Sequence, residues 1–147
     1  TLKFFGSLTC EEIQKAKTFL EGITAVREPF YLECGELVTF PTWRRPRVLC
    51  LSLEGEIKTL QDLRQKIEVG LARVGFSKEK RKKFHPHITL GRFRSGNDML
   101  RKMIREKAEP FPREKFLVQD IYLMASELTP KGPKYTALAR FPFQARE

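Results

Sequence analysis

Cysteine and histidine are scarce in this sequence, which limits the kinds of site that it can build. The three cysteines, Cys10, Cys34 and Cys50, are an odd number without C-x-x-C spacing, and the chain has only two histidines. Scattered cysteines of this kind are typical of buried thiols in a reducing compartment, so we expect a cytoplasmic protein. No cluster of cysteines or carboxylates offers ligands for a metal, and we expect neither a metal site nor a cofactor.

Long apolar runs and nucleotide-binding glycine loops are also missing. No stretch approaches the roughly 20 apolar residues that a membrane span needs, so we expect no membrane partner. No Walker-type loop ending in G-K-[ST] is present, which argues against ATP hydrolysis. The 147 residues predict one domain, residues 1–147, which we expect to be a monomer.

Positive charge is what the sequence has in excess. The chain carries 28 lysines and arginines against 18 acidic residues, a formal net charge of +10. Such a balance favours a polyanionic partner such as nucleic acid, and a soluble basic protein without such a partner is the alternative. Two basic, proline-containing turns are predicted at residues 41–46 and 129–134, whereas the charge run at residues 78–83 is interpreted as solvated surface.

Hydrophobic periodicity and capping signals predict helices alternating with strands. Thr9 and Glu12 form a capping box ahead of a helix at residues 11–22. A second helix at residues 57–74 ends at Gly75. A third follows good capping residues at 95–98, runs through Leu100, Met103, Ile104 and Ala108, and stops before Pro110. The predicted strands are residues 1–5, 30–40, 48–53, a strand starting at or just after Pro86, 116–125 and 135–141.

Alternation along a strand predicts which side chains share a face. In the strand at residues 30–40, one face receives most of the apolar side chains: Phe30, Leu32, Cys34, Val38 and Phe40. In the last strand, the aromatic side chains Tyr135 and Phe141 are predicted core residues. Both strands are therefore expected to have one face packed against a core.

Both histidines lie in one block, residues 84–93, which reads F-H-P-H-I-T-L-G-R-F. Alternation puts His87 and Thr89 on the same face and directs Ile88 and Leu90 into a core. An imidazole beside a hydroxyl on a rigid strand is half of an acid–base site. The alternatives are a buried structural histidine and a threonine that is present only as a β-branched strand residue.

The chain also contains an internal repeat. Residues 1–5 (T-L-K-F-F) and 89–93 (T-L-G-R-F) match, and each segment is followed by a helix, a long strand, a basic proline turn and another strand. Pseudo-repeats at about residues 1–53 and 86–143, linked by the helix at 57–74, predict a duplicated α+β domain with a mainly antiparallel sheet and helices on its outer faces.

The repeat predicts a second histidine. In the second copy, His87 precedes Thr89 by two residues, so the matching histidine would lie two residues before Thr1. The sequence starts at Thr1, within a predicted strand, and we expect the natural protein to begin earlier. Two facing imidazoles can supply a base and an acid near neutral pH, because an unperturbed histidine has a pKa of about 6.5.

Together these motifs resemble the RNA 2′,3′-cyclic phosphodiesterases, historically called 2′–5′ RNA ligases, of the 2H phosphoesterase superfamily. The matching segments are H-x-T-x at residues 87–90, T-L-x-F at the start, P-R-V-L before the central strand, and L-x-x-S-x-L-T-P-K-G-P-x-Y-T-x-L near the end. The resemblance implies the 2H fold, a two-lobed antiparallel sheet with outer helices and a central cleft. The family's first histidine, with the strand and helix before it, is not in this sequence.

The resemblance also implies an activity. The family opens RNA 2′,3′-cyclic phosphate ends to 2′-phosphates without a metal and can run 2′–5′ ligation weakly in reverse. His87 would accept a proton from water, the histidine ahead of Thr1 would donate one to the leaving oxygen, and Thr1 and Thr89 would bind the phosphate. Two alternatives are a 2H enzyme acting on another cyclic phosphate and an RNA-binding module without activity.

Further residues are candidates for binding the substrate. Lys3 shares the face of Thr1 by alternation and is a candidate to reach the phosphate. Arg92 falls on the face opposite His87, which predicts a structural ion pair unless a β-bulge re-aims it. The turn at 41–46 and the residue that follows it supply one aromatic residue and three cations: Trp43, Arg44, Arg45 and Arg47. Arginine next to an aromatic suits contact with an RNA backbone and base stacking, and exposed charge without function is the alternative.

Overall fold

The computed structural model describes residues 1–80, 83–94, 98–107, 110 and 112–144. In chain order its elements are α1 (Cys10–Thr24), β1 (Phe30–Phe40), β2 (Val48–Gly55), α2 (Ile57–Arg73), β3 (His87–Arg92), α3 (Asp98–Lys107), β4 (Lys115–Val118), β5 (Asp120–Thr129) and β6 (Gly132–Pro142). The fold is α+β, as predicted, and every pairing with a described register is antiparallel. The predicted caps at 95–97, the predicted helix residue Ala108 and part of the charge run lie outside the described residues.

Two compact units make up the chain. One contains Thr1–Phe30, Lys58–Lys82 and Leu117–Glu147, and the other contains Tyr31–Ile57 and Lys83–Phe116. Each unit draws on both predicted repeats. The first unit combines the T-L segment and helix of the first repeat with the hairpin of the second, and the second unit combines them the other way round. The predicted single domain stays a prediction.

In the first unit, α1 forms where the sequence predicts it and begins with the predicted capping box. The Thr9 hydroxyl accepts a hydrogen bond from the backbone N–H of Glu12, while the Glu12 carboxylate accepts one from the backbone N–H of Thr9. Such a cap is worth about 1 kcal/mol. Ala16 and Leu20 form the buried face of the helix.

The predicted apolar stripe of helix α2 is buried. Its side chains are those of Leu60, Leu63, Ile67 and Leu71. Gly70 lies directly against the ring of Phe19 in α1, and a Cβ added to Gly70 would collide with that ring. The helix ends at Arg73, and Gly75 follows with a φ of +102°, a conformation that favours glycine.

Strands β5 and β6 form the hairpin of the first unit, and a β-bulge divides the faces of β6. Leu123 pairs with Ala139 but Met124 pairs with Ala137, so Leu138 is the extra residue. The predicted turn at 129–134 is shorter than expected, because pairing continues to Thr129 and Gly132.

Because of this bulge, only one of the two residues predicted to lie in the core of this hairpin does so. Phe141 is 2% exposed, as predicted, whereas Tyr135 is 63% exposed. In a regular strand, Tyr135 and Phe141 would lie on one face. The extra residue between them moves Tyr135 to the opposite, solvent-facing side of the hairpin, so its assignment to the core was wrong.

The segment before α1 is not a regular strand, so the strand predicted at residues 1–5 is wrong. The segment is held by side-chain contacts rather than by a described sheet ladder. The Lys3 ammonium donates hydrogen bonds to both carboxylate oxygens of Glu68, at 2.9 and 3.1 Å, and the ring of Phe5 meets Phe76 edge-on at 5.3 Å. An apolar run thus packs against the unit without extending a sheet.

A four-stranded sheet in the order β3-β2-β1-β4 forms the second unit. The long strand predicted at 116–125 is in fact two strands, because the chain leaves this sheet after Val118. The next strand, β5, pairs with β6. Gln119 lies at the break, where its carbonyl accepts a hydrogen bond from the N–H of Phe143 at 2.8 Å. Alternation cannot detect such a change of sheet, because the extended backbone continues across it.

Strand β1 also contains a bulge, which corrects the predicted single face. Cys34 pairs with Leu53 and Val38 pairs with Cys50, so one residue more lies on β1 than on β2 between these pairs. Since paired residues share a face, Val38 and Phe40 lie on the face opposite Cys34. The apolar core of the unit covers one face, and the other face is left for Phe40 and its neighbours.

Among the described residues, no helix is both long enough and apolar enough to cross a bilayer.

Glu68 is a partly buried carboxylate of the first unit. It pairs with Lys3 and also accepts a hydrogen bond from the backbone N–H of Glu79. Burial raises the pKa of Glu68, but these hydrogen bonds and the charges of Lys3 and Arg64 outweigh it, so the pKa lies below its ordinary value.

The Glu68 contacts predict how stability depends on pH. An ionised Glu68 stabilises the folded state fully above the unfolded-state pKa, about 4.3, and this contribution is lost as the pH falls through the lower folded-state pKa. We expect Glu68→Gln to reduce the loss of unfolding free energy in urea titrations between about pH 6 and about pH 3. Glu21→Gln, at an exposed site on α1, should leave that loss unchanged; equal effects of both variants would contradict the prediction.

Candidate active site

Strand β3 carries the histidine block on the edge of the four-stranded sheet. Its neighbour β2 pairs Ser52 with His87 and Cys50 with Thr89. Ser52 and Cys50 are two residues apart on a regular part of β2, so His87 and Thr89 share one face, as predicted. We call this the histidine face of the sheet.

The neighbours of His87 on β3 differ from the prediction. Ile88 is 39% exposed and Leu90 is 46% exposed, so neither is a core residue. Ile88 lies on the face of the sheet that carries the core. It stays partly exposed to solvent, since β3 is an edge strand of the sheet. Leu90 is the extra residue of a β-bulge, because β2 advances by one residue between Leu49 and Cys50 while β3 advances by two.

A hydrogen bond holds the ring of His87. The Nδ1 atom lies 2.6 Å from the backbone carbonyl oxygen of His85. A carbonyl only accepts hydrogen bonds, so Nδ1 must carry the proton that it donates. In the neutral ring, the lone pair is then on Nε2. Pro86 separates the two histidines, and this short loop orients the imidazole through the backbone rather than through a carboxylate.

Phe40 packs against both histidine rings. Its ring centroid lies 5.3 Å from that of His87 and 6.2 Å from that of His85, with tilted planes in both cases. Strands β1 and β3 are separated by β2, so the contact with His87 crosses the intervening strand. The bulge in β1 makes this contact possible, because without it Phe40 would face the apolar core.

The residues beneath the histidines are buried or held by hydrogen bonds. Cys50 is fully buried, and its sulfur lies 3.9 Å from the hydroxyl oxygen of Thr89. The Ser52 hydroxyl accepts a hydrogen bond of 2.9 Å from the backbone N–H of Glu36, inside the bulge of β1. Gly35 leaves room for this hydroxyl, since a Cβ on Gly35 would collide with Ser52 Oγ. The bulge therefore supports the strand that carries His87.

The bulge at Leu90 changes the expected position of Arg92. Arg92 pairs with Val48, which shares a face of β2 with Cys50, so Arg92 lies on the histidine face. Its side chain is exposed, and no ion pair joins it to any residue that the structure describes. The bulge re-aims Arg92, which is the exception that the sequence prediction allowed, because the extra residue reverses the alternation.

The basic turn between β1 and β2 lies at the end of the same sheet. The N–H of Arg47 donates to the carbonyl of Phe40 at 2.8 Å, which closes the turn, and Pro46 is buried at its base. Trp43 is half-buried. The remaining cations of the turn are exposed: Arg44, Arg45 and Arg47.

Thr1 and Lys3 belong to the first unit, and they differ from each other in burial. Thr1 is exposed. The side chain of Lys3 is 4% exposed, and its ammonium also donates a hydrogen bond of 2.8 Å to the carbonyl of Ser77. With two Glu68 oxygens and this carbonyl, the three donors of the ammonium all have acceptors. The contacts favour a structural role for Lys3, and its predicted contact with a phosphate stays a prediction.

No group of three or more histidine, cysteine, aspartate or glutamate residues among those described could hold a metal ion. The cysteines Cys34 and Cys50 are buried and free, and Cys10 is an exposed free thiol. Of these, only Cys50 touches the histidine face. The histidine face presents an oriented imidazole, a hydroxyl and a guanidinium.

Comparison with known proteins identifies the family. A model described as the 2′-5′ RNA ligase superfamily matches residues 1–129. The chain belongs to this superfamily. The resemblance drawn from the H-x-T-x motif and the repeat is thereby confirmed, and the match covers the T-L segment, β3 and most of both repeats.

Relatives and solved structures of the superfamily match most of the chain. An RNA 2′,3′-cyclic phosphodiesterase of Aeropyrum pernix is 35% identical over 141 residues, which cover 94% of this chain and 77% of the relative. That of Methanothermobacter thermautotrophicus is 30% identical over 143 residues, or 96% and 76% of the two chains.

Two solved structures confirm the 2H phosphoesterase fold. TT0787 of Thermus thermophilus matches with a TM-score of 0.77 and 26% identity, covering 100% of this chain and 78% of that one. E. coli LigT complexed with 3′-AMP matches with a TM-score of 0.72 and 25% identity, covering 99% and 76%. The superfamily fold thus extends over the whole of this chain.

Three residues of the site were not predicted from the sequence: Phe40, Cys50 and Ser52. Phe40 was assigned to the core face, and the other two carried no signal beyond their place in an apolar strand. Gly35 was the available clue, since an isolated glycine in a strand pattern often marks a bulge. A bulge there would have moved Phe40 to the histidine face.

Two glycine substitutions, one inside the bulge of β1 and one outside it, test this account. We expect Gly35→Ala to lower the unfolding free energy by about 1–3 kcal/mol, because the Cβ would displace the Ser52 hydroxyl from the N–H of Glu36. Gly22→Ala in α1 should raise it by about 0.5–1 kcal/mol, because no atom lies within 4 Å of the added Cβ. Urea denaturation measures both, and destabilisation by Gly22→Ala or none by Gly35→Ala would contradict this account of the bulge.

Proposed function

We propose that this protein hydrolyses RNA 2′,3′-cyclic phosphate ends to 2′-phosphates by acid–base catalysis without a metal. The observation that carries the proposal is the hydrogen bond from His87 Nδ1 to the carbonyl of His85. It leaves Nε2 as the basic nitrogen of the neutral ring, on the face shared with Thr89 and Arg92. The relatives named RNA 2′,3′-cyclic phosphodiesterase support the same reaction.

His87 acts as the general base in this mechanism. Nε2 takes a proton from a water molecule as the water oxygen attacks phosphorus, and the bond from phosphorus to the ribose 3′-oxygen breaks on the opposite side. The hydrogen bond to His85 keeps the ring in one orientation and stabilises the positive charge that develops on it. Positioned proton transfer of this kind is typically worth about 100- to 10,000-fold in rate.

The departing 3′-oxygen must receive a proton. A second histidine of the kind that the repeat predicts two residues ahead of Thr1 would supply it, and Thr1 would bind the phosphate as Thr89 does. The same steps, with a 5′-hydroxyl in place of water as the nucleophile, form a 2′–5′ phosphodiester and release the 3′-oxygen, and would give weak 2′–5′ ligation. The phosphate remains on the 2′-oxygen in hydrolysis, so the product is a 2′-phosphate.

Thr89 and Arg92 bind the phosphate as negative charge builds on its non-bridging oxygens. The Thr89 hydroxyl is exposed and sits over the buried Cys50 thiol, so its hydrogen can be donated outward. Arg92 supplies a guanidinium with up to five donors and a permanent charge. Its lack of an ion pair with the described residues leaves those donors to a ligand.

The two histidines provide the test of the base. We expect His87→Ala, assayed in EDTA with an oligonucleotide ending in a 2′,3′-cyclic phosphate, to lower kcat by about 100- to 10,000-fold. His85→Ala is the matched control: it retains the backbone carbonyl that orients His87, so its loss should stay within about tenfold.

Conversion to a 2′-phosphate by the intact protein, abolished only by His87→Ala, would establish the mechanism. Equal losses in both histidine variants would contradict the assignment of the base. Failure of the parent to convert the substrate would instead favour an RNA-binding module without activity. Activity that EDTA removes would overturn the metal-independent reaction.

Arg92 is tested separately. We expect Arg92→Gln to lower kcat/KM for the cyclic phosphate by about 10- to 100-fold, because a charge-assisted hydrogen bond to the phosphate is lost. Arg105→Gln, an exposed arginine on α3, removes the same charge and should change kcat/KM by less than about twofold. An unchanged kcat/KM in Arg92→Gln would show that the bulge does not serve phosphate binding.

A further inference from the structure

Four exposed arginines lie at one end of the four-stranded sheet, beyond the site already described. Three belong to the turn between β1 and β2, and the fourth follows β3: Arg44, Arg45, Arg47 and Arg94. We call them, together with Trp43, the arginine platform. The backbone brings the two segments together, because the N–H of Phe93 donates a hydrogen bond of 2.9 Å to the carbonyl of Arg47.

The arginines of the platform have no acidic partner among the residues described, whereas several other arginines do. Elsewhere, Arg27 pairs with Asp62 at 2.7 Å, Arg113 with Glu54 at 2.6 Å, and Arg140 with Asp120 at 2.7 Å. An arginine cluster left unneutralised at a surface attracts polyanions and suits phosphate recognition. The charge is therefore concentrated where a ligand can use it.

Phe40 connects the platform to the histidine face. Its ring packs on His87 at 5.3 Å, while its carbonyl accepts the hydrogen bond from Arg47 that closes the turn. The turn thus begins directly beside the proposed base. A chain whose end lies at His87 would pass Phe40 and continue over the arginines.

Trp43 adds a surface that can stack on a base. It is half-buried within the turn, so part of the indole is open to solvent. Aromatic side chains interleaved with cations are the common means of holding single-stranded nucleic acid without reading its sequence, and stacking on each base is worth about 1–3 kcal/mol. An acidic protein would find the cations here but would make no use of an aromatic stacking face.

We propose that the arginine platform binds the single-stranded RNA upstream of the reacting end. The inference rests on the proposed function for the position of the RNA end. The guanidinium groups contact successive phosphates, and Trp43 stacks on a base. Affinity then grows with the length of the RNA and falls with salt, while sequence has little influence.

Trp43 is the single tryptophan of the chain, so its fluorescence reports directly on the platform. The binding probe is a tetranucleotide that ends in a 2′-phosphate, which the proposed reaction cannot cleave. We expect it to quench Trp43, and we expect the variant Arg44→Gln/Arg45→Gln/Arg47→Gln to bind it weakly. For single strands, three lost phosphate contacts lower the salt slope by about 2. The parent should then lose about 20-fold more affinity than the variant between about 50 and 200 mM salt.

The control variant removes the same charge elsewhere. Lys15→Gln/Lys58→Gln/Arg73→Gln changes three exposed cations on α1 and α2 and should retain the salt slope of the parent. A parallel assay compares KM for cyclic-phosphate substrates from one to four nucleotides. KM should fall with length in the parent and in the control, and the dependence should be lost in the platform variant.

The outcomes separate the two proposals. Hydrolysis with no dependence of KM on length, and no quenching of Trp43, would overturn the platform while leaving the proposed function intact. Quenching without hydrolysis would support the platform and remove the proposed function. Equal changes of salt slope in both triple variants, or equal quenching by a polyglutamate of the same charge, would overturn specific RNA binding in favour of general attraction to anions.

Discussion

The ladder between β2 and β3 decides which side chains can act together. Its register places His87 opposite Ser52 and Thr89 opposite Cys50, and the bulge at Leu90 brings Arg92 onto the same face. A shift of one residue would send the imidazole and the hydroxyl to the opposite face, because strand side chains alternate. The site therefore depends on a run of backbone hydrogen bonds rather than on any pair of side chains.

Bulges have the same effect at three places in the molecule. The one extra residue of β1 brings Phe40 to the histidine face, Leu90 does so for Arg92, and Leu138 turns Tyr135 to solvent. Each bulge reverses the alternation for the rest of its strand. In β1, the even-numbered residues before the bulge, such as Cys34, therefore face the apolar core. Those after it, such as Phe40, lie on the histidine face.

Some basic side chains form ion pairs within the protein, whereas those near the histidine face do not pair with any described residue. Several arginines elsewhere on the surface meet carboxylates, as Arg113 meets Glu54 and Arg140 meets Asp120, and Lys3 is held by Glu68. The arginines near the histidine face have no such partner among the described residues. An ion pair holds a segment in place, whereas an unpaired guanidinium keeps its donors for a phosphate. Part of the net charge of +10 therefore lies on exposed arginines next to the histidine face.

The two copies of the repeat do not each form one compact unit. Each compact unit joins the T-L segment and helix of one copy to the hairpin of the other. Both units therefore contain the same kinds of segment: a T-L segment, a helix and a hairpin.

Local patterns of the sequence determined the elements, the family and the residues of the histidine block. Periodicity and the capping box placed α1 and α2 almost correctly, and the repeat with H-x-T-x identified the superfamily, because these signals depend on neighbours a few residues apart. Only the tertiary structure decided the faces of β1, β3 and β6, the division between β4 and β5, and the partner of Lys3. Those features depend on which strand or helix lies alongside, and a bulge becomes visible only as a mismatch between two strands that are distant in sequence.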